Sequence, residues 1–182
     1  MIAAAPGMDV SLALRARLAD LYCAYDDALN NGELERWPPL FTENCVYKVL
    51  PRDNHERGLP VAVVYCESRA MLEDRVTALR ETALYAPRMV RRITSGICVR
   101  SADGEDWRLT ANFALLETLT NQPSTLFLCG RTHDRVVSEG GVLRFAERLC
   151  IYDSTIIPAS SLLTRYPSAP AASASRTTLG SE

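Results

Sequence analysis

The sequence has little of what metal and nucleotide sites require. Only two histidines occur in 182 residues, and the six cysteines are each more than twenty residues from the next. A zinc ribbon or an iron–sulfur cluster needs closely spaced cysteines or Cys/His pairs. The glycines form neither a GxGxxG fingerprint nor a P-loop, and no GxSxG elbow is present. The sequence therefore predicts no catalytic, cofactor-binding or metal site in this chain.

Charge and hydropathy exclude further classes. The formal net charge is -2, whereas a nucleic-acid binder needs a basic patch or stripe. No apolar run approaches the ~18–20 residues that span a bilayer, and the N-terminus lacks the basic and apolar regions of a signal peptide. We expect a cytoplasmic protein whose cysteines are buried free thiols in a reducing compartment.

The chain divides into a folded part and two tails. Residues 1–10 and 159–182 are predicted to be loose, the second because it is rich in Ser, Ala, Pro and Thr. Within the domain, 11–158, a first helix is predicted from Ser11 to Asn30, where apolar residues recur at spacings of three and four. A short, irregular helix is expected at 34–41, and a third begins after Ser68, which can cap it.

The hydrophobic period changes from helical to two in the second half. Four long strands are predicted, separated by turn signals such as Asp103-Gly104 and Gly140-Gly141. Two shorter strands, 45–50 and 61–66, flank a polar loop at 51–60. Helices followed by an antiparallel meander predict an α+β domain, in which a curved sheet wraps around the first helix to make a cone. The long strands are expected at 91–100, 107–120, 125–137 and 142–153.

Asp26 is the carboxylate best suited to acid–base chemistry. It falls at the edge of the apolar stripe of the first helix, near Tyr22 and Tyr25, whereas Asp27 points away. At the rim of an apolar pocket a carboxylate has a raised pKa and can act as a general acid or base. The preferred alternative is a structural residue near the helix end, bonded to an arginine or to backbone.

Other polar residues are candidates for contacts rather than for chemistry. His55 falls in the polar loop and His133 on a strand, and the pattern predicts two unrelated surface histidines. Arg75 and Arg80 flank the apolar stripe of the third helix, where they suit either a partner interface or salt bridges within the domain. The predicted interface residues are Trp37, His55, Arg75, Arg80, Arg91 and Arg92.

Several stretches taken together resemble one family. They are residues 37–42 (WPPLFT) with 45–47 (CVY), 53–55 (DNH) with 58–60 (GLP), 67–76 (ESRAMLEDRV), 79–82 (LRET) and 147–154 (ERLCIYDS). Over residues 18–158 this ordered set resembles the small (beta) subunit of Rieske-type aromatic ring-hydroxylating oxygenases. The branch it most resembles serves aromatic carboxylates, as in terephthalate dioxygenase and salicylate 5-hydroxylase.

The resemblance implies a division of labour between subunits. It implies a cone-shaped fold like that of nuclear transport factor 2 and an α3β3 hexamer. The large (alpha) subunit would hold the Rieske 2Fe–2S cluster and a mononuclear Fe(II), and a separate NAD(P)H-dependent reductase would supply electrons. This chain would be a non-catalytic subunit that supports assembly. The alternative function is a free-standing dehydratase, isomerase or cyclase of the same fold, with Asp26 as its acid or base.

Overall fold

A computed structural model describes residues 8–81 and 88–154. The predicted α+β class is confirmed, with the long first helix on the inner face of a long, curved sheet. In chain order the elements are α1 (Leu12–Asn30), two 3₁₀ turns (Leu34–Arg36 and Pro38–Leu40), β1 (Phe41–Pro51), α2 (Arg52–Glu56), β2 (Val64–Cys66), α3 (Arg69–Glu81), β3 (Arg88–Asp103), β4 (Asp106–Leu119), β5 (Thr125–Glu139) and β6 (Val142–Tyr152).

Helix α1 forms where its apolar spacing predicts. The Ser11 hydroxyl accepts the Leu14 backbone N–H at 3.2 Å and so caps the first turn. The helix ends at Asn30, and Gly32 follows with φ of 70°, a left-handed conformation that favours glycine. Its buried stripe packs into the concave face of the sheet and comprises Leu18, Leu21, Tyr22, Tyr25, Ala28 and Leu29.

The six strands form one sheet in the order β2-β1-β6-β5-β4-β3. The predicted antiparallel meander of β3 to β6 is confirmed. Strand β1 lies parallel to β6, a pairing that joins the first half of the chain to the last strand. The alternation of apolar and polar residues cannot predict this pairing, because each strand would show the same alternation beside any other strand of the sheet.

Three local predictions were wrong in detail. The short helix at 34–41 is two separate 3₁₀ turns, because Pro38 and Pro39 cannot continue an α-helix from the residues before them. The polar loop at 51–60 contains the one-turn helix α2. The strand expected at 61–66 is shorter, and only Val64–Cys66 is extended and paired.

A bulge in β6 changes which side chains face inward. Phe145 pairs with Val136 and Glu147 pairs with Arg135, so β6 carries one extra residue, Ala146, at this point. One extra residue reverses the alternation of the strand beyond it. Arg148 consequently points into the core, where a regular strand would have placed its neighbour.

Aromatic rings fill the narrow end of the cone. Phe145 meets Tyr22 edge-on with ring centroids 5.3 Å apart, and Trp37 meets Tyr47 at 5.2 Å. Edge-to-face pairs of this kind contribute about 0.5–1.5 kcal/mol beyond the area they bury. The cluster fixes α1, the 3₁₀ turns and β1 against β6.

Parts of the predicted domain plan lie outside the described residues. These are residues 1–7, the 82–87 segment, the end of the predicted domain at 155–158, and the tail at 159–182. Residues 8–10 were assigned to the first tail, but the Met8 N–H donates to the Val99 carbonyl at 2.9 Å. Among the described helices, none is both long and apolar enough to cross a membrane.

Gly130 allows β5 and β6 to approach closely. A Cβ atom at Gly130 would lie 2.0 Å from the Ile151 carbonyl oxygen and 2.7 Å from the Tyr152 Cα. Because both contacts are backbone, Gly130→Ala must push the strands apart, and we expect it to lower the free energy of unfolding by about 1–3 kcal/mol. Urea unfolding measures this loss. Thr125→Ala, at an exposed position of the same strand, is the control, and equal stability of the two variants would contradict the prediction.

Candidate functional site

Arg148 lies at the centre of the cone with only 1% of its surface exposed. Its guanidinium carbon is 4.0 Å from the centre of the Tyr25 ring, 4.6 Å from Phe145 and 5.0 Å from Tyr22. Aromatic faces attract a cation, and they do so more strongly where water is excluded. The guanidinium therefore replaces part of its hydration with three rings.

Asp134 on β5 is the counter-ion of Arg148. Its Oδ2 atom accepts from the Tyr22 hydroxyl at 2.5 Å, from the Thr132 hydroxyl at 2.6 Å and from Arg148 Nη1 at 3.2 Å. Burial raises the pKa of Asp134, while Arg148 and the two hydroxyl donors oppose that rise. Burial and the neighbouring carboxylate also raise the pKa of Tyr22, which keeps its phenol protonated as a donor.

A small cavity adjoins this pair. Its volume is about 40 Å³, and its lining includes Asp26, Arg92, Thr94, Thr132 and Arg148. One water needs roughly 10–15 Å³ on such a scale, and small-molecule sites usually have ~300–1,000 Å³. The cavity therefore has room for a few waters and not for an organic substrate.

Asp26 faces this cavity, as its place on the helix predicts. Its carboxylate accepts from the Thr94 hydroxyl at 3.1 Å. Burial raises the pKa of Asp26, and the Thr94 bond together with Arg148 and Arg92 partly offsets the rise. Asp27 is exposed and accepts from the Asn31 side chain at 3.0 Å. The geometry matches the structural alternative, because Asp26 is bonded within the domain and has no substrate space beside it.

Burial keeps the two phenols and the thiol beside the cavity in their protonated forms. The Tyr25 and Tyr47 hydroxyls lie 3.1 Å apart and hydrogen-bond to each other. Burial raises the pKa of Tyr25 to about 12 and that of the Cys150 thiol to about 11. A protonated buried thiol is a poor nucleophile. Of the six free cysteines, Cys45, Cys66 and Cys150 are buried as expected, whereas Cys23 is exposed on the outer face of α1.

The two histidines are not unrelated, and this prediction was wrong. Their ring centroids are 5.4 Å apart and the rings are perpendicular. Helix α2 follows β1 directly and carries His55 to the outer face of β5, where His133 projects. Burial, His55 and Arg131 lower the pKa of His133. Both rings line an open cleft of about 450 Å³, whose charged lining is completed by Arg52, Glu56, Arg131 and Asp153.

The other predicted interface residues differ in how much of their side-chain surface is exposed to solvent. Trp37 is fully buried in the core, so its side chain has no surface to offer a partner and its contribution is to packing. Arg80 forms a two-point ion pair with Glu35, at 2.9 and 2.8 Å, and also donates to the Gly32 carbonyl at 2.8 Å. Arg75 is half-buried on the same helix.

Two of the predicted interface arginines lie side by side on β3 with different environments. Arg91 is exposed, whereas Arg92 is half-buried and lines the cavity. The Asn30 side chain accepts the Arg92 backbone N–H at 2.6 Å and donates to the Arg92 carbonyl at 3.0 Å, which ties the end of α1 to this strand. Arg91 therefore offers more side-chain surface to a partner than Arg92 does.

The donor set does not fit an iron centre. Within residues 8–81 and 88–154, no three His, Cys, Asp or Glu side chains are grouped so that they could hold a metal ion. A Rieske cluster takes two cysteines and two histidines, and a facial triad takes two histidines and a carboxylate. The His55–His133 pair offers two imidazoles beside the guanidinium of Arg131, which repels a cation.

Sequence reasoning missed the central pair, Arg148 and Asp134. Nothing in the local sequence Glu-Arg-Leu-Cys-Ile indicates that its arginine, Arg148, is buried. Only the bulge at Ala146 turns it inward. Asp134 adjoins His133 on β5, and its place opposite Arg148 appears only in the strand register, which the sequence does not show.

A curved sheet wrapped around a helix, with a closed interior and a charged outer cleft, defines the class of cone-shaped α+β domains. The chain belongs within that class to the ring hydroxylating beta subunit family, whose model matches residues 26–159. The predicted resemblance to a small subunit of ring-hydroxylating oxygenases is thereby confirmed.

Individual relatives agree with this assignment. The chain is 35% identical to the anthranilate 1,2-dioxygenase small subunit of Burkholderia cepacia over 131 residues, which cover 72% of this chain and 81% of that one. It is 31% identical to a terephthalate 1,2-dioxygenase terminal oxygenase beta subunit of Comamonas sp, covering 77% and 91%. A solved structure from Novosphingobium aromaticivorans, assigned as the beta subunit of an aromatic-ring-hydroxylating dioxygenase, matches with a TM-score of 0.77 and 32% identity, covering 86% and 98%.

The buried ion pair predicts a large cost for removing one partner. Asp134→Asn leaves the Arg148 guanidinium buried without a counter-ion, and we expect a loss of about 3–5 kcal/mol in the free energy of unfolding. The double variant Asp134→Leu with Arg148→Met should lose less, because neither charge is then left alone. Urea unfolding measures both. Glu33→Gln, which breaks an exposed pair with Arg36, should cost no more than about 1 kcal/mol.

Burial of Asp26 predicts a pH-dependent stability difference. Because the folded state raises the Asp26 pKa, it binds this proton more tightly than the unfolded chain does. Stability therefore falls as pH rises from the ordinary aspartate pKa through the raised value. We expect Asp26→Asn to raise the melting temperature at pH 7, with a gain that shrinks towards about pH 4. Asp27→Asn is the exposed control, and a lower melting temperature for Asp26→Asn at pH 7 would refute the argument.

Proposed function

We propose that this chain is the non-catalytic small subunit of the terminal oxygenase of a dioxygenase that hydroxylates aromatic carboxylates. The observation that carries the proposal is the family match over most of the described domain, together with an interior that is closed by the Arg148–Asp134 pair. A subunit with a filled core contributes surface rather than chemistry. Its task is to hold large subunits together in a complex.

The names of the relatives support the substrate class. Anthranilate, terephthalate and p-cumate, which the relatives' dioxygenases are named for, are all aromatic carboxylates. The predicted likeness to terephthalate dioxygenase small subunits agrees with one of these matches, and the likeness to salicylate 5-hydroxylase stays a prediction. We assign the class and leave the individual substrate to the large subunit.

The iron chemistry is assigned to the partner. The donor set of the described residues does not fit a Rieske cluster or a mononuclear iron site, so both are proposed to lie in the large (alpha) subunit. Electrons would reach them from NAD(P)H through a separate reductase. An α3β3 hexamer is the proposed assembly, and the cytoplasm is the proposed compartment, where the free cysteines would stay reduced.

The surface residues that remain candidates for the interface are His55, Arg75 and Arg91. Each has side-chain surface that the domain does not use, in contrast to Trp37 in the core. Arg80 and Arg92 serve mainly to tie elements of the domain together. A stable interface of ordinary size buries about 800 Å² on each partner, which needs a broad face rather than one contact.

One observation favours the alternative function, a free-standing dehydratase, isomerase or cyclase. Asp26 faces a cavity and has a raised pKa, as a general acid or base would. The 40 Å³ volume argues against it, because no substrate fits beside the carboxylate. Turnover by the purified chain on its own would revive this alternative.

Co-expression with a large subunit of the same oxygenase class tests the proposal, and the adjacent reading frame is the first candidate for that subunit. We expect the two chains to elute together in size-exclusion chromatography, at a mass that fits three copies of each. The adjacent reading frame should carry the paired Cys-x-His and Cys-x-x-His spacing of a Rieske protein. Asp26→Asn in the assembled oxygenase should leave the hydroxylation rate unchanged within about twofold.

The outcome against the proposal is equally clear. A stable monomer of this chain that does not bind the large subunit would contradict the proposed function. A strong fall in rate for assembled Asp26→Asn, with Asp27→Asn unaffected, would give this chain a part in the chemistry.

A further inference from the structure

The outer cleft between α2 and the sheet is the largest polar concavity among those described. Its volume is about 450 Å³, and it opens to solvent on the face of the sheet opposite α1. The floor comes from β5 and β6, and one wall is the single turn of α2 that carries His55. Nothing in the core explains why these side chains are gathered there.

The charges in the cleft are only partly used within the domain. Arg52 pairs with Asp153 and is neutralised by it. The Arg131 side chain is exposed, and within residues 8–81 and 88–154 it makes no hydrogen bond or ion pair, whereas its backbone belongs to the β5 ladder. It lies close enough to His133 to lower the pKa of that imidazole. The positive charge of Arg131 therefore remains available to a ligand.

The field around His133 favours an anion over a metal ion. Arg131 and Arg100 both oppose protonation of His133, and His55 does the same from across the 5.4 Å ring contact. The same positive field would repel a divalent cation. A carboxylate placed between Arg131 and the imidazoles would instead gain a charge-assisted bond from the guanidinium.

An exposed apolar strip lies on the other side of α2. The Asn54 side chain donates to the Val61 carbonyl at 2.9 Å, and the Leu59 N–H donates to the Asn54 carbonyl at 2.8 Å, so α2 and the strip are tied together. Val61 is 64% exposed and Val63 is 51% exposed. Apolar surface beside a charged anchor is the usual composition of a protein interface.

We propose that this cleft is the docking site for an acidic side chain of the large subunit, received by Arg131 and the His55–His133 pair, with the apolar strip packed against the same partner. The inference rests on the proposed function, which supplies the partner. An open cleft leaves a free small carboxylate largely hydrated, whereas a partner chain covers it and excludes water. Closing the cleft strengthens the contact, because screening falls when water leaves.

Binding should tighten as the pH falls. Protonation of the His133 imidazole adds positive charge facing the carboxylate, which stays ionised well above its own pKa. Burial, His55 and Arg131 lower the pKa of His133, so the increase should appear below the ordinary histidine pKa of about 6.5. The other charged groups that face this pair, from every packed element, are Arg52, Glu56, Arg100, Arg131 and Asp153, and the buried Asp134 acts on His133 from the inner face of β5.

The test is the stability of the purified complex of this chain with its large subunit. Dilution followed by mass photometry gives the dissociation constant for the wild type and for Arg131→Glu. We expect Arg131→Glu to weaken the complex at least tenfold and to flatten its dependence on salt. His55→Ala with His133→Ala should weaken it about threefold at pH 6 and remove the pH trend. Arg15→Glu, on the opposite face, should behave as the wild type.

Each result decides the matter, and circular dichroism first shows that the variants are folded. A wild-type complex whose affinity is the same in Arg131→Glu and Arg15→Glu would overturn the docking site while leaving the proposed function intact. Failure of the wild-type chain to bind the large subunit would remove the proposed function and the docking site together. Self-association of the isolated chain, abolished by Arg131→Glu, would assign the cleft to a second copy and overturn the large-subunit proposal.

Discussion

The buried ion pair between Arg148 and Asp134 sets the character of this domain. A guanidinium at the centre of a cone must replace its lost hydration, and it does so with one carboxylate and the faces of three aromatic rings. Tyr22 and Tyr25 belong to α1, so the same contacts hold the helix in the curved sheet. The space that a related fold could keep for a ligand is occupied by this network.

A filled interior moves function to the outside of the molecule. Asp26 has the environment of a general acid, but the 40 Å³ cavity beside it has room only for water. The outer cleft is more than ten times larger and carries charge that the domain does not neutralise. The family to which the chain belongs assembles with other subunits, and surface of this kind is what such a subunit has to offer.

The contact between the two histidines depends on tertiary structure and could not be predicted from local sequence. His55 and His133 are separated by 78 residues, and neither neighbourhood carries a motif that joins them. They meet because β1 runs parallel beside β6, which delivers α2 to the outer face of β5. Contacts of this kind between distant segments depend on the order of strands in the sheet. The alternation of apolar and polar residues along a strand does not reveal that order.

By itself, the sequence determined the two long helices α1 and α3, the four-stranded meander and the family. The 3.6-residue spacing of α1 and the strict alternation of strands such as β4 are local, so they survive any tertiary arrangement. The low count of histidine and the spacing of cysteine argued against a metal site, and the family resemblance then indicated a partner chain. Tertiary structure alone decided that Arg148 is buried and that His55 meets His133. The extra residue at Ala146 turns Arg148 inward, and the parallel pairing of β1 with β6 brings His55 to His133. Neither feature can be recognised from the local sequence.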